Sequence, residues 1–149
     1  PPALKHLPRI LLLVPFLILF CLTLYLSLKA SPEMKSVTWI PPFLAEWADR
    51  NSDLRTAVPY ALLGIMVSWI TSNQKPGRRR QLLIGVGVLV FLLLATESMQ
   101  LLLQGRTGSW QDLAWGMAGI AGGAAVGFAL NRAFGSIAPV HFLRRPPAK

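Results

Sequence analysis

Four apolar stretches constrain what this chain can fold into more than any other feature. They lie at about residues 10–28, 56–71, 82–103 and 110–130, and their only charged side chains are Glu97 and Asp112. A helix that crosses a bilayer needs about 20 predominantly apolar residues. Charged residues make up 14% of the 149 residues, against about a quarter of a typical soluble domain. The expected fold is therefore all-α: a single membrane domain, an integral bundle of four transmembrane helices. The first stretch follows Lys5 and Arg9 as the apolar part of a signal peptide would, but it is longer than the usual h-region and "SLKA" has Leu28 where a small residue belongs. We expect a retained anchor.

The net charge of +9 would suit a nucleic-acid partner if it formed a patch on a polar fold. Instead the basic residues flank the apolar runs, where they act as topology signals. The expected partners are membrane lipids and, in one reading given below, other membrane subunits; no nucleic acid is expected. Cys21 is the single cysteine, and the two histidines, His6 and His141, lie far apart. No internal disulfide can form, no phosphate-binding loop or zinc-protease motif is present, and neither a metal site nor a cofactor is expected.

Charge asymmetry orients the bundle. Lys5, Arg9, Lys75, Arg78, Arg79, Arg80, Arg132, Arg144, Arg145 and Lys149 fall on one side with no acidic residue among them. Lys29, Lys35, Arg50, Arg55 and Arg106 fall on or near the other, together with all six acidic residues, Glu33, Glu46, Asp49, Asp53, Glu97 and Asp112. The positive-inside rule then puts both termini in the cytoplasm. The basic inner loop, residues 72–81, contains "KPGRRR", which reads as a plain topology signal or as a patch for anionic lipid.

The outer loop, residues 29–55, is long for a small bundle. Pro41 and Pro42 can open a short helix on which Phe43, Leu44 and Trp47 share one face. Tryptophan favours the headgroup level, so an interfacial segment is expected here, an ordinary connecting loop being the alternative. In the fourth run Gly116, Gly119, Gly123 and Gly127 recur every three or four residues, with Gly122 beside them. Such a ladder lets helix backbones approach closely in lipid. It serves packing against run two or three, a contact with another chain, or space for a lipid tail.

Glu97 lies where the third run otherwise looks lipid-buried, and Gln100 and Gln104 follow it on the same helical stripe. A polar stripe on an apolar helix should face the bundle interior or a wet cavity, because lipid offers it no partner. Arg106, in the short turn "QGRTGS", can reach back to pair with Glu97. Asp112 follows in the first turn of run four, where it completes the cluster or merely caps a helix that starts at Ser109. The expected cluster is thus Glu97, Gln100, Gln104, Arg106 and Asp112, just below the outer surface. Its alternatives are a binding site and an internal ion pair that fixes the fold.

The pattern Glu97, Gln100, Gly105, Arg106, Asp112, Gly119 and Gly123 resembles the VanZ-like membrane proteins. The resemblance covers about residues 45–131 and is specific over the second half. The family often has a His where this chain has Thr56 and an Asn where it has Gly116, while Tyr60 is kept; roles of that His or Asn do not carry over. The resemblance implies a multi-pass protein of the bacterial inner membrane and cell envelope rather than a defined reaction. Three functions remain open: a non-enzymatic module binding a polar or lipid-linked envelope ligand, an accessory transmembrane subunit of a larger complex, and an enzyme using the two carboxylates.

Overall fold

A computed structural model of the chain describes residues 7–29, 31, 33–71, 77–103 and 109–135. It is all-α among these residues, with five helices: α1 (Leu7–Leu28), α2 (Pro42–Arg50), α3 (Ser52–Ile70), α4 (Arg78–Gln100) and α5 (Trp110–Gly135), plus a single 3-10 turn at Met34–Ser36. Gln104 and Arg106 of the expected cluster lie outside the described residues. So do Lys5, His6, Lys75, His141, Arg144, Arg145 and Lys149.

The helix starts follow local chemistry. Pro42 opens α2 after Pro41, a position where a missing N–H costs nothing. Gly77, at φ 104°, turns the chain into α4 in a conformation that glycine adopts without strain. Ser109 Oγ accepts the N–H groups of Gln111 and Asp112 at 3.2 and 3.4 Å and so caps α5.

Two of the boundaries that differ from the sequence expectation bear on the site. α3 begins at Ser52, not near residue 56, because Asp53 suits a first helical turn; Pro59 therefore sits well inside the helix. α4 stops at Gln100, followed by the turn residues Leu101, Leu102 and Leu103. Glu97 and Gln100 of the expected stripe both lie within α4.

Among the described residues two helices are long and apolar enough to cross a membrane: Arg79–Gln100 and Trp110–Ala133. Four were expected. The described apolar part of α1, Leu13–Leu28, is shorter, and the earlier start of α3 brings Asp53 and Arg55 into that helix. Much of the apolar surface points outward. Phe91 on α4 is 72% exposed, and Leu83, Ile84 and Val88 are exposed with it, as are Leu13, Val14, Leu17 and Ile18 on α1. A core helix of a soluble protein would bury such residues.

Helix directions alternate along the chain. Ala57, Ala61 and Ile65 of α3 meet Gly119, Gly123 and Gly127 of α5 in that order, so α3 and α5 run parallel. Tyr60 and Val67 of α3 meet Thr96 and Gly85 of α4, so α4 runs opposite to α3. The Gln100 side chain reaches the Ser27 carbonyl, bringing the C-terminal ends of α4 and α1 together. One end of the bundle therefore carries α2, the 3-10 turn and the starts of α3 and α5.

The glycine ladder is the seam of this bundle. A Cβ on Gly123 would run into the Ala61 carbonyl, and one on Gly119 into the Ala57 carbonyl. Gly64 returns the contact from α3, lying against Ile120 and Ala124. Ser68 Oγ adds a hydrogen bond to the Ala124 carbonyl at 2.9 Å. Gly116 packs instead on Leu93 of α4, and Gly122 has open space beside it. Close backbone approach of this kind holds helices together where lipid removes the usual hydrophobic drive. The core between the helices is Tyr60, Leu63, Val67, Leu89, Leu92, Leu93 and Ile120. A second, smaller core of Met34, Ala45 and Ala48 seats α2 against Leu26 of α1 and Ile40.

Candidate functional site

At the end that carries α2, the four long helices enclose a cavity of about 110 Å³. That is room for several waters, each needing about 10–15 Å³. Every long helix supplies a polar group to its wall. α1 gives Thr23 and Ser27, α3 gives Arg55, Thr56 and Tyr60, α4 gives Thr96, Glu97 and Gln100, and α5 gives Asp112.

The inner part of this chamber is fixed by hydrogen bonds. Thr96 Oγ1 donates to the Leu93 carbonyl at 2.9 Å. A hydroxyl has one proton, so Tyr60 must donate in its 3.2 Å contact with Thr96 Oγ1. Both residues are almost fully buried, at 2% and 1% exposure. Gln100 Nε2 donates to the Ser27 carbonyl at 3.1 Å, locking α4 to α1. Thr23 turns its hydroxyl to the Leu19 carbonyl of its own helix at 2.8 Å.

The outer part carries the charges. Arg55 Nη1 stands 3.6 Å from Asp49 Oδ1. The Asp49 carboxylate also accepts the N–H groups of Met34, at 2.7 Å, and Lys35, at 3.2 Å. It thereby holds the 3-10 turn and Arg55 in one arrangement. Glu97 lies one turn before Gln100 on α4, and its Oε2 atom is buried. Asp112 lines the chamber while its backbone N–H is taken by Ser109, so capping of α5 and a place in the wall coexist. Nearby, Gln111 Nε2 donates to both Asp53 oxygens at 3.0 and 3.1 Å, tying the starts of α5 and α3 together.

Two further cavities touch the chamber residues. A groove of about 240 Å³ between the ends of α4 and α5 is lined by Leu94, Glu97, Ser98, Leu101, Ser109, Trp110 and Leu113. A wider cleft of about 390 Å³ is bounded by Glu33, Lys35, Asp49, Ser52 and Arg55. Glu97 therefore borders the chamber and the groove, and Arg55 borders the chamber and the cleft.

Of the five residues expected to cluster, Glu97, Gln100 and Asp112 line one chamber. Among the described lining residues the positive charge comes from Arg55, which the run boundaries expected from sequence assign to the outer loop. The signal was present: "NSDLR" has an acidic residue suited to a first helical turn, and a helix starting there carries Arg55 inward. Tyr60, Thr96, Ser27 and Asp49 were missed as well, because each acts through a partner distant in sequence. Comparison of the chain with protein-family models, with curated proteins and with solved structures gives no match.

Proposed function

We propose that this chain is a VanZ-like, multi-pass protein of the bacterial inner membrane and cell envelope. In this reading α1, α3, α4 and α5 cross the bilayer and both termini are cytoplasmic. The chamber is a non-enzymatic binding site on the outer side for the polar head group of a lipid-linked envelope ligand. The observation that carries the reading is the convergence of Arg55, Glu97, Gln100 and Asp112, from three helices, on one cavity at one end of an otherwise apolar bundle. Ionisable groups within a membrane bundle are expensive and mark functional sites by default. Arg55 offers a planar fork of donors to ligand oxygens, and the carboxylates accept hydrogen bonds from ligand hydroxyls or amines.

Orientation is supported by the alternation of the helices, with the basic Arg79 and Arg80 at the start of α4 and the acidic residues gathered at the far end. Level is supported by the aromatic residues. Trp110 is 87% exposed at the start of α5, Phe43 is 74% exposed on α2, and Trp39 and Trp47 are exposed beside it. Such side chains favour the membrane–water interface, which supports a level for the chamber just below the outer headgroups. The accessory-subunit reading would draw on the glycine ladder as a docking face, but Gly119, Gly123 and Gly127 pack against α3 of the same chain.

Purification in gentle detergent, with mass spectrometry of everything that co-elutes, tests this reading. A lone protein carrying a stoichiometric envelope lipid supports it. Recovery only within a large assembly, with no lipid bound, replaces it by the accessory-subunit reading.

A further inference from the structure

The outward face of α4 takes no part in the bundle core, and its residues follow an order. Arg79 and Arg80 stand exposed in the first turn. Leu83 and Ile84 come one turn later, then Gly87 and Val88, then Phe91, all exposed. Spacings of three and four keep Arg80, Ile84, Gly87 and Phe91 on one stripe. Gly85 lies against Val67 of α3 and so serves the bundle, whereas a Cβ on Gly87 would meet nothing within 4 Å. The stripe therefore carries a notch about 10 Å along the helix from Arg80, between the larger side chains of Ile84 and Phe91.

Charge is divided sharply between the two ends of the bundle. All six Asp and Glu residues of the full sequence lie away from the start of α4. Glu33, Glu46 and Asp49 belong to the segment around the 3-10 turn and α2, and Asp53 and Asp112 lie in the first turns of α3 and α5. Glu97 stands about 25 Å along α4 from Arg80. Residues 1–32, 54–96 and 113–149 contain no Asp or Glu at all. The counter-charge that suits Arg79 and Arg80 therefore comes from outside the side chains of this protein. Guanidinium groups bind phosphate oxygens two at a time, and the apolar stripe beside them suits a hydrocarbon chain. A phosphate joined to such a chain is a phospholipid, and one with net negative charge fits a basic surface best.

We propose that this face of α4 seats an anionic phospholipid. Its phosphate rests on Arg79 and Arg80, and one acyl chain runs past Leu83 and Ile84 across the notch at Gly87 towards Phe91. The site is separate from the chamber and shares with the proposed function only the crossing of the bilayer by α4.

The full chain is reconstituted in vesicles of phosphatidylcholine and phosphatidylglycerol in equal parts, and lipid retained on detergent extraction is measured by native mass spectrometry. Wild type is expected to retain phosphatidylglycerol over phosphatidylcholine by about tenfold or more. Arg79→Gln with Arg80→Gln should lower that preference by about tenfold, whereas Arg132→Gln, at the same end but on α5, should change it by less than about twofold. Arg80→Gln alone serves if the double variant does not elute as a folded protein. Gly87→Leu fills the notch and should lower the retention of both lipids. A loss in Arg132→Gln as large as that in the α4 variants means a diffuse basic surface and overturns the site. Unchanged retention in Gly87→Leu overturns the path of the acyl chain. A wild-type dimer that Gly87→Leu dissociates, with no lipid retained, makes the face a contact between two copies and overturns the lipid. Equal retention of the two lipids by wild-type protein that resists alkaline extraction from the vesicles overturns the site and leaves the bilayer crossing standing. Release of wild type by alkaline extraction overturns both.

Discussion

Arg55 and Asp49 stand 3.6 Å apart, one in the first turns of α3 and the other near the end of α2, each with about a fifth of its side chain exposed. The pair joins three elements, because the same Asp49 carboxylate receives two N–H groups of the 3-10 turn. A cation on the chamber wall is thus oriented from outside the chamber, by a segment that otherwise looks like a loop.

Replacing Asp49 with Ala should therefore loosen both the turn and Arg55. Hydrogen bonds to a charged group contribute about 1.5–3 kcal/mol, while the ion pair itself adds little at this exposure. Thermal unfolding in detergent should show a loss of about 1–3 kcal/mol for Asp49→Ala. Asp49→Asn, which keeps an acceptor, should lose less. Equal stability of the three proteins would contradict this role.

The glycine seam makes a sharper contrast within one helix. Gly123→Ala forces a methyl group against the Ala61 carbonyl, and overpacking of this kind costs about 1–3 kcal/mol. Gly122→Ala meets nothing within 4 Å and should be neutral or stabilising by up to about 1 kcal/mol, since Ala is the better helix former. Melting temperatures of the two variants, measured side by side, should move in opposite directions or differ clearly.

Tyr60→Phe removes the hydroxyl that donates to Thr96 Oγ1 while leaving the Thr96 bond to the Leu93 carbonyl intact. A loss of about 0.5–1.5 kcal/mol is expected. In a double-mutant cycle with Thr96→Val the two changes should not add, because they remove the same contact. Additive effects would mean that the hydroxyls do not interact.

These contrasts also mark how far the sequence could be read. The four apolar runs overlap α1, α3, α4 and α5, because long apolar helices announce themselves by composition. Glu97 and Gln100 stand on one wall because a spacing of three residues fixes a helical face. The glycine ladder was visible from its own spacing, but its counterpart was not: Ala57, Ala61 and Gly64 look like ordinary apolar residues until the register of α3 on α5 is known. Arg55 was misplaced because a helix boundary shifted by four residues, and boundaries are where local signals are weakest. Asp49 resembled a solvated loop charge, since nothing in sequence announces that its carboxylate caps a turn fifteen residues earlier.

The proposed crossing pattern has its own test. In a Cys21→Ser background, a cysteine introduced as Ser36→Cys should react with a membrane-impermeant maleimide in intact cells. One introduced as Lys75→Cys should react only after permeabilisation. Labelling of both, or of Lys75→Cys alone, in intact cells would contradict an outer-side chamber.

The central claim is that the chamber holds a lipid head group through Arg55. Its most direct measurement is native mass spectrometry of wild type, Arg55→Lys and Arg55→Ala, each extracted from its own membrane under the same conditions. The account predicts a bound lipid on wild type, partial retention in Arg55→Lys, which keeps the charge but not the planar fork, and loss by at least about tenfold in Arg55→Ala, with all three proteins folded. Equal lipid occupancy in the three would contradict it.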